Sequence, residues 1–68
     1  MLDSELAHRI RMLAQSEPER SRRVFSLRMA GDSFHEIGGK LGISENSARV
    51  IYFRMKEKIK KQLEKEGY

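Results

Sequence analysis

The segment from residue 34 to residue 51 has the spacing of two short helices joined by a tight turn, and this pattern constrains the fold most. Its apolar positions would lock two helices at a steep angle: Ile37, Leu41, Ile43, Ala48 and Ile51. Gly42 can adopt the left-handed conformation that ends a helix, and Ser44 can cap the next one. Gly38 lets the two backbones approach at the crossing. The segment therefore predicts a helix-turn-helix.

The second helix of such a pair is well placed to enter the major groove of DNA. The alternative is an ordinary helical hairpin, in which the same spacing indicates only a hydrophobic core. The agreement of the apolar positions with the turn residues favours the first interpretation.

Helix periodicity and capping signals extend over the whole chain and predict four helices, at about residues 4–14, 17–30, 34–41 and 45–66. Ser16 with Glu19, and Ser33 with Glu36, have the spacing of capping boxes. Gly31 is expected to end the second helix. No strand pattern is present, so we expect one all-α, four-helix domain over residues 1–68, with a C-terminal helix-turn-helix and no wing.

The composition excludes several classes of function. The chain has 68 residues and no cysteine, which rules out disulfides and thiolate metal sites. No apolar run approaches the roughly 20 residues of a membrane span. His8 and His35 lie on different predicted helices, and Glu36 is explained as a cap. We therefore expect a cytoplasmic domain without enzymatic activity, cofactor, metal or membrane contact.

Positive charge is concentrated on the last predicted helix. Residues 44–68 hold seven basic and four acidic groups, whereas residues 1–43 hold seven and six. The basic residues between positions 49 and 61 are Arg49, Arg54, Lys56, Lys58, Lys60 and Lys61. Such a run often forms only a solvated face, but here it coincides with the helix predicted to meet phosphates.

The periodicity of the last helix also predicts which side of it is free. The inward stripe is expected at Ala48, Ile51, Met55 and Ile59, with Tyr52 at its margin. The predicted DNA-binding residues are Ser44, Glu45, Asn46, Ser47, Arg49, Val50, Phe53, Arg54 and Lys56. Arginine can pair with guanine or clamp a phosphate, and apolar groups can contact thymine methyls. For Phe53 and Val50, a second packing surface remains an alternative.

The stretch SRRVFSLRMAGDSFHEIGGKLGISENSARVIYFRMKEKIKKQL resembles region 4 of bacterial RNA polymerase sigma factors, especially the extracytoplasmic-function group. The matching residues on the second predicted helix are Arg23, Val24, Phe25 and Leu27. Across the turn they are Gly31, Ser33, Glu36, Ile37, Leu41, Gly42, Ile43 and Ser44, followed by Arg54, Lys56 and Ile59. The resemblance covers about residues 22–63.

The resemblance implies a monomeric domain that reads the −35 element of double-stranded promoter DNA through its last helix. It also implies docking on the β flap of RNA polymerase, and masking by an anti-sigma protein in some members. The family's DNA contacts map onto Arg49, Val50, Phe53 and Arg54. No promoter-melting domain is present, so the chain alone is not expected to initiate transcription.

Two departures from the family pattern concern stability. Gly38 stands where the family has alanine, and Gly39 follows it. Each glycine costs roughly 1 kcal/mol relative to alanine inside a helix, so we expect the third helix to be the softest element. Ser47 and Ala48 replace the family's Thr-Val.

Two other functions fit parts of the pattern. One is a DNA-binding output domain of the LuxR or response-regulator type, which shares the EI---L-IS spacing. The second helix and the basic tail favour the sigma class over it. The other is a sigma-like protein-interaction module that binds polymerase or an anti-sigma protein with little DNA contact.

Overall fold

A computed structural model describes residues 4–67 of the chain, which form four helices without a strand in that range. The helices are α1 (Ser4–Gln15), α2 (Glu19–Met29), α3 (Phe34–Leu41) and α4 (Glu45–Lys65). The all-α class is confirmed, and each predicted helix is present with its bounds shifted by two residues or fewer. The predicted domain span also includes residues 1–3 and 68, which lie outside the described residues.

The start of α2 differs from the prediction. The proposed capping box of Ser16 and Glu19 is wrong, because the Ser16 hydroxyl donates to the Leu13 carbonyl at the end of α1, 2.7 Å away. Pro18 is the N-cap of α2, with an extended ψ of 151° and no side-chain cap. A residue before proline is disfavoured in the helical region, so Glu17 stays outside α2.

The ends of α3 follow the predicted signals. The Ser33 hydroxyl accepts from the Glu36 N–H at 3.1 Å, and the Ser33 N–H donates to Glu36 Oε1 at 3.0 Å. These hydrogen bonds hold the pKa of Glu36 below its ordinary value. Gly31 follows α2 at φ 104°, and Gly42 ends α3 in the left-handed conformation at φ 69°. The second capping box and both glycine stops are confirmed.

The core lies where α2, α3 and α4 meet. Each of these helices contributes one side chain with no exposed surface: Val24, Ile37 and Ala48. Half-buried apolar residues surround them: Leu27, Phe34, Leu41, Ile43, Ile51 and Tyr52. Met55 and Ile59 continue the buried stripe along α4. The predicted inward side of the last helix is thus confirmed.

Helix α1 packs against α2 and the C-terminal half of α4. Its apolar residues Leu6, Ile10 and Leu13 are half-buried rather than buried. An ion pair reinforces the contact with α4. Arg9 Nε and Nη2 donate to the two carboxylate oxygens of Glu66 at 2.6 and 2.5 Å. Arg9 and a neighbouring amide hydrogen bond lower the pKa of Glu66 to about 2.

Candidate nucleic-acid interface

The turn between α3 and α4 fixes where α4 begins. A Cβ atom added at Gly38 would lie 2.7 Å from the Ile43 carbonyl oxygen and 3.3 Å from the Glu45 nitrogen. The Ile43 N–H donates to the Gly38 carbonyl at 3.0 Å. Gly38 therefore permits the close backbone approach that the sequence predicted. By contrast, a Cβ at Gly39 meets nothing within 4 Å.

Ser44 begins α4 as its N-cap, as predicted. Its hydroxyl accepts from the Ser47 N–H at 3.0 Å, and the two serine hydroxyls lie 2.8 Å apart. Both side chains are exposed, but each already has a partner in the other. Among the predicted DNA-binding residues, these two therefore have a clear structural role in capping.

The outward side of the first turns of α4 carries two arginines with two apolar residues between them. At 3.6 residues per turn, the order around the helix is Arg49, Phe53, Val50 and Arg54, and the arginines lie about 140° apart. All four are exposed, with 49% of Phe53 and 38% of Val50 accessible to solvent. We call these four residues the reading face. Their predicted outward orientation is confirmed, while their contact with DNA stays a prediction.

Arg49 is held by neighbours on two helices. Its Nη2 donates to Glu45 Oε2 at 3.0 Å, one turn earlier on α4. Its guanidinium carbon lies 5.3 Å from the centre of the Phe34 ring, within the range of a cation–π contact. His35 Nδ1 lies 3.6 Å from the other carboxylate oxygen of Glu45.

An aromatic cluster, composed of Phe25, Phe34, Tyr52 and Phe53, connects the reading face to α2. Tyr52 is central, with ring centres 5.9 Å from Phe25, 5.6 Å from Phe34 and 5.4 Å from Phe53. Phe34 and Phe53 are themselves 6.1 Å apart. Phe53 thus rests on the domain on one side and is exposed on the other. DNA contact by the exposed side of Phe53 stays a prediction, with a second packing surface as its alternative.

The structure adds a basic residue that sequence reasoning missed. The Arg28 guanidinium carbon lies 4.6 Å from the centre of the Phe34 ring, and Arg28 Nη1 donates to the Asp32 carbonyl at 3.0 Å. Arg28 therefore contacts the same ring as Arg49, although it belongs to α2. No signal in the sequence pointed to Arg28, since the contact depends on how α2 crosses α3.

The remaining predicted site residues are Glu45, Asn46 and Lys56. Glu45 and Asn46 are exposed in the first turn of α4, and Lys56 Nζ lies 5.9 Å from the centre of the Phe53 ring. These three extend the reading face. Lys58 instead donates to Glu17 Oε1 at 3.2 Å, on the side of α4 that meets α1. The basic run is therefore not a single surface.

A second surface feature is a groove of about 560 Å³ between α1 and α2. Its apolar lining consists of Leu6, Ala7, Ile10, Ala14, Phe25 and Met29. Met29 is 68% exposed at its edge. Arg11 and Arg22 are the charged residues of the lining. Phe25 belongs both to this groove and to the aromatic cluster.

The described residues contain no other arrangement with obvious chemistry. Among residues 5–67, no polar or charged side chain is buried, and no group of three or more histidine or acidic side chains is placed to hold a metal ion. None of the four helices is both long enough and apolar enough to cross a membrane.

Comparison of the chain with protein-family models, with curated proteins and with solved structures finds no match. The resemblance to sigma region 4 therefore rests on the motif residues in the chain itself.

Proposed function

We propose that this chain is a DNA-binding domain of the sigma region 4 kind, which reads the −35 element of a bacterial promoter in the cytoplasm as a monomer bound to RNA polymerase. The observation that carries the proposal is the reading face. It combines two exposed arginines and two exposed apolar residues on the helix that follows a tight turn.

The chemistry of the reading face suits the edges of base pairs. Arginine offers a planar fork of donors that matches the guanine acceptors, whereas Val50 and Phe53 suit the methyl group of thymine. Lys56 lies near Phe53 of the reading face, and Arg28 contacts the same Phe34 ring as Arg49; both side chains suit backbone phosphates. In this function α3 and its glycine turn hold α4 at a fixed angle, as in a helix-turn-helix.

The test is selection of binding sites from a randomised duplex library at low salt, followed by affinity measurements. Arg49→Ala and Arg54→Ala should each weaken binding to the selected duplex by about 1–3 kcal/mol, if each contacts a base. The matched control is Arg20→Ala, which removes the same charge about 12 Å along α2 from Arg28. Unchanged affinity in both α4 variants contradicts the proposal.

The form of the selected sequence separates the proposed function from its rivals. A short asymmetric motif fits a monomer that reads one element, while a palindrome indicates a dimeric regulator of the LuxR type. The logarithm of affinity should also fall linearly with the logarithm of salt concentration, by about 0.9 per neutralised phosphate.

A second candidate function is protein interaction, and the groove between α1 and α2 is the observation that favours it. If no duplex is enriched, purified RNA polymerase core and its isolated β flap are the partners to test. Met29→Glu should then weaken their binding, because it places a charge at the apolar edge of the groove. The Arg49→Ala variant should leave that binding intact.

A further inference from the structure

An acidic residue that a DNA-binding surface would be expected to avoid lies next to the reading face. Glu45 is exposed in the first turn of α4, and its carboxylate accepts a hydrogen bond from Arg49 Nη2 at 3.0 Å. A carboxylate this near to phosphates would weaken electrostatic attraction to any DNA sequence. Glu45 can offset this cost by stabilising the N-terminal end of α4 or by improving a specific contact.

We propose that Glu45 and Phe34 are positioning residues that orient the Arg49 guanidinium toward one base pair, which makes Glu45 a determinant of sequence discrimination. This inference rests on the DNA-binding function proposed above. The juxtaposition that carries it is the hydrogen bond from Arg49 to Glu45 together with the Phe34 ring 5.3 Å from the same guanidinium.

The hydrogen-bonding capacity of arginine allows both contacts at once. A guanidinium has five N–H donors in a planar fork, and the Glu45 hydrogen bond occupies one of them. Donors therefore remain for the two acceptors on the major-groove edge of guanine. Because the side chain is already restrained from two directions, it has less conformational freedom to lose when it binds.

The opposing effects of Glu45 lead to a distinctive expectation for Glu45→Gln. Removal of the negative charge should strengthen binding to a scrambled duplex. At the same time, the loosened Arg49 should discriminate less well at its base pair. A residue that contributed only repulsion, or only helix stability, would change the affinity for every sequence by the same factor.

The experiment first locates the base pair of Arg49. Every single-base-pair variant of the selected duplex is measured with the wild-type protein and with Arg49→Ala, and the pair at which Arg49→Ala loses discrimination is assigned to Arg49. The same set is then measured with Glu45→Gln. The matched control is Glu57→Gln, which removes an equal charge about 18 Å farther along the α4 axis.

Glu45→Gln should reduce discrimination at the Arg49 base pair by about two- to tenfold, the factor set by the cost of immobilising one long side chain. Glu57→Gln should leave the discrimination at that pair unchanged. Phe34→Leu should lower discrimination at the same pair without strengthening the binding of scrambled DNA. Because Phe34 also packs on the core, circular dichroism checks that the Phe34→Leu variant folds. If Phe34→Leu does not fold, the Glu45→Gln result alone decides the question.

Three results would overturn the inference. In the first, Arg49→Ala weakens all duplexes equally, which makes Arg49 a phosphate contact while selective DNA binding survives. In the second, Glu45→Gln loses discrimination at a base pair other than the one assigned to Arg49. That result would mean that Glu45 itself contacts a base, as a carboxylate can with cytosine. In the third, Glu45→Gln and Glu57→Gln change the discrimination by the same factor.

If the wild-type protein enriches no sequence, it is the proposed function that fails. In that case, the NMR order parameter of the Arg49 Nε–H is compared between the wild-type protein and Glu45→Gln, both without DNA. This comparison shows separately whether Glu45 restrains the Arg49 side chain.

Discussion

At one end of the molecule α2, α3 and α4 meet around three fully buried side chains, whereas at the other end α1 is held by half-buried residues and a partly exposed ion pair. The first end also includes the close backbone approach at Gly38. The proposed reading face is built on this tightly packed end. The groove and its exposed Met29 lie at the looser end, where small displacements cost less. The two ends thus suit different tasks: a fixed recognition surface and an adaptable protein contact.

The largest expected effect on stability comes from truncating a core side chain, and it tests the difference in packing between the two ends. Ile37→Ala should lower the free energy of unfolding by about 2–5 kcal/mol, because it leaves a cavity in the fully buried core. Ile10→Ala makes a comparable truncation in α1 and should cost on the order of 1 kcal/mol, since Ile10 is only half-buried. Urea denaturation measures both. Equal losses would mean that α1 is as tightly integrated as α3.

The adjacent glycines of α3 provide a second test within the tight end. Gly38→Ala should destabilise the protein by about 1–3 kcal/mol, because the new methyl group would press on the Ile43 carbonyl. Gly39→Ala should instead stabilise it by roughly 0.5–1 kcal/mol, since it gains helix propensity in open space. Thermal unfolding distinguishes the two. A tolerated Gly38→Ala would contradict the close approach of the two helices.

Helix caps extend the comparison to single hydrogen bonds. Ser44→Ala should cost about 1 kcal/mol, because it removes the acceptor for the Ser47 N–H at the start of α4. Ser16→Ala should cost less than about 0.5 kcal/mol, since Ser16 caps no helix start and is exposed. Chemical denaturation of the wild-type protein and the two variants measures these changes in the free energy of unfolding. The reverse order of effects would restore Ser16 as a cap.

The ion pair between Arg9 and Glu66 gives the smallest expected effect and the one that depends on pH. The pKa of Glu66 is about 2 in the folded chain, below its ordinary value of 4.5. Its stabilising contribution is therefore complete above about pH 4.5 and is lost as the pH falls through about 2. The Tm of wild type should exceed that of Glu66→Gln at pH 7, and the two should converge near pH 2.

Two controls sharpen the pH experiment. High salt should reduce the difference in Tm, because both side chains are partly exposed and screening weakens their attraction. Glu64→Gln removes an equal charge near the end of α4 and should not reproduce the effect. A pH-independent gap between wild type and Glu66→Gln would assign the contribution to packing instead.

Features that depend on residues within one helical turn could be predicted from the sequence. The Ser33–Glu36 capping box, the left-handed Gly42 and the inward stripe of α4 all follow from local spacing. The wrong prediction of a capping box at Ser16 also has a local cause, because two other short-range interactions determine the conformation there. The Leu13 carbonyl attracted the serine hydroxyl, and Pro18 kept Glu17 out of the helical conformation.

Features that depend on how helices cross could not be predicted in this way. Arg28 and Arg49 lie far apart in sequence, yet both contact the Phe34 ring. The groove is likewise a product of two helices that are each unremarkable in sequence. Periodicity identifies which side of a helix faces inward, but it does not say which residues of another helix it will meet.

The position of Tyr52 has a consequence for spectroscopy. All three phenylalanines of the chain have ring contacts with it, and these phenylalanines reach both the groove and the reading face. Ring currents from these neighbours should shift the Tyr52 aromatic proton resonances away from random-coil values. A ligand at either surface would alter those currents, so one set of NMR signals near the centre of the domain can report occupancy at both.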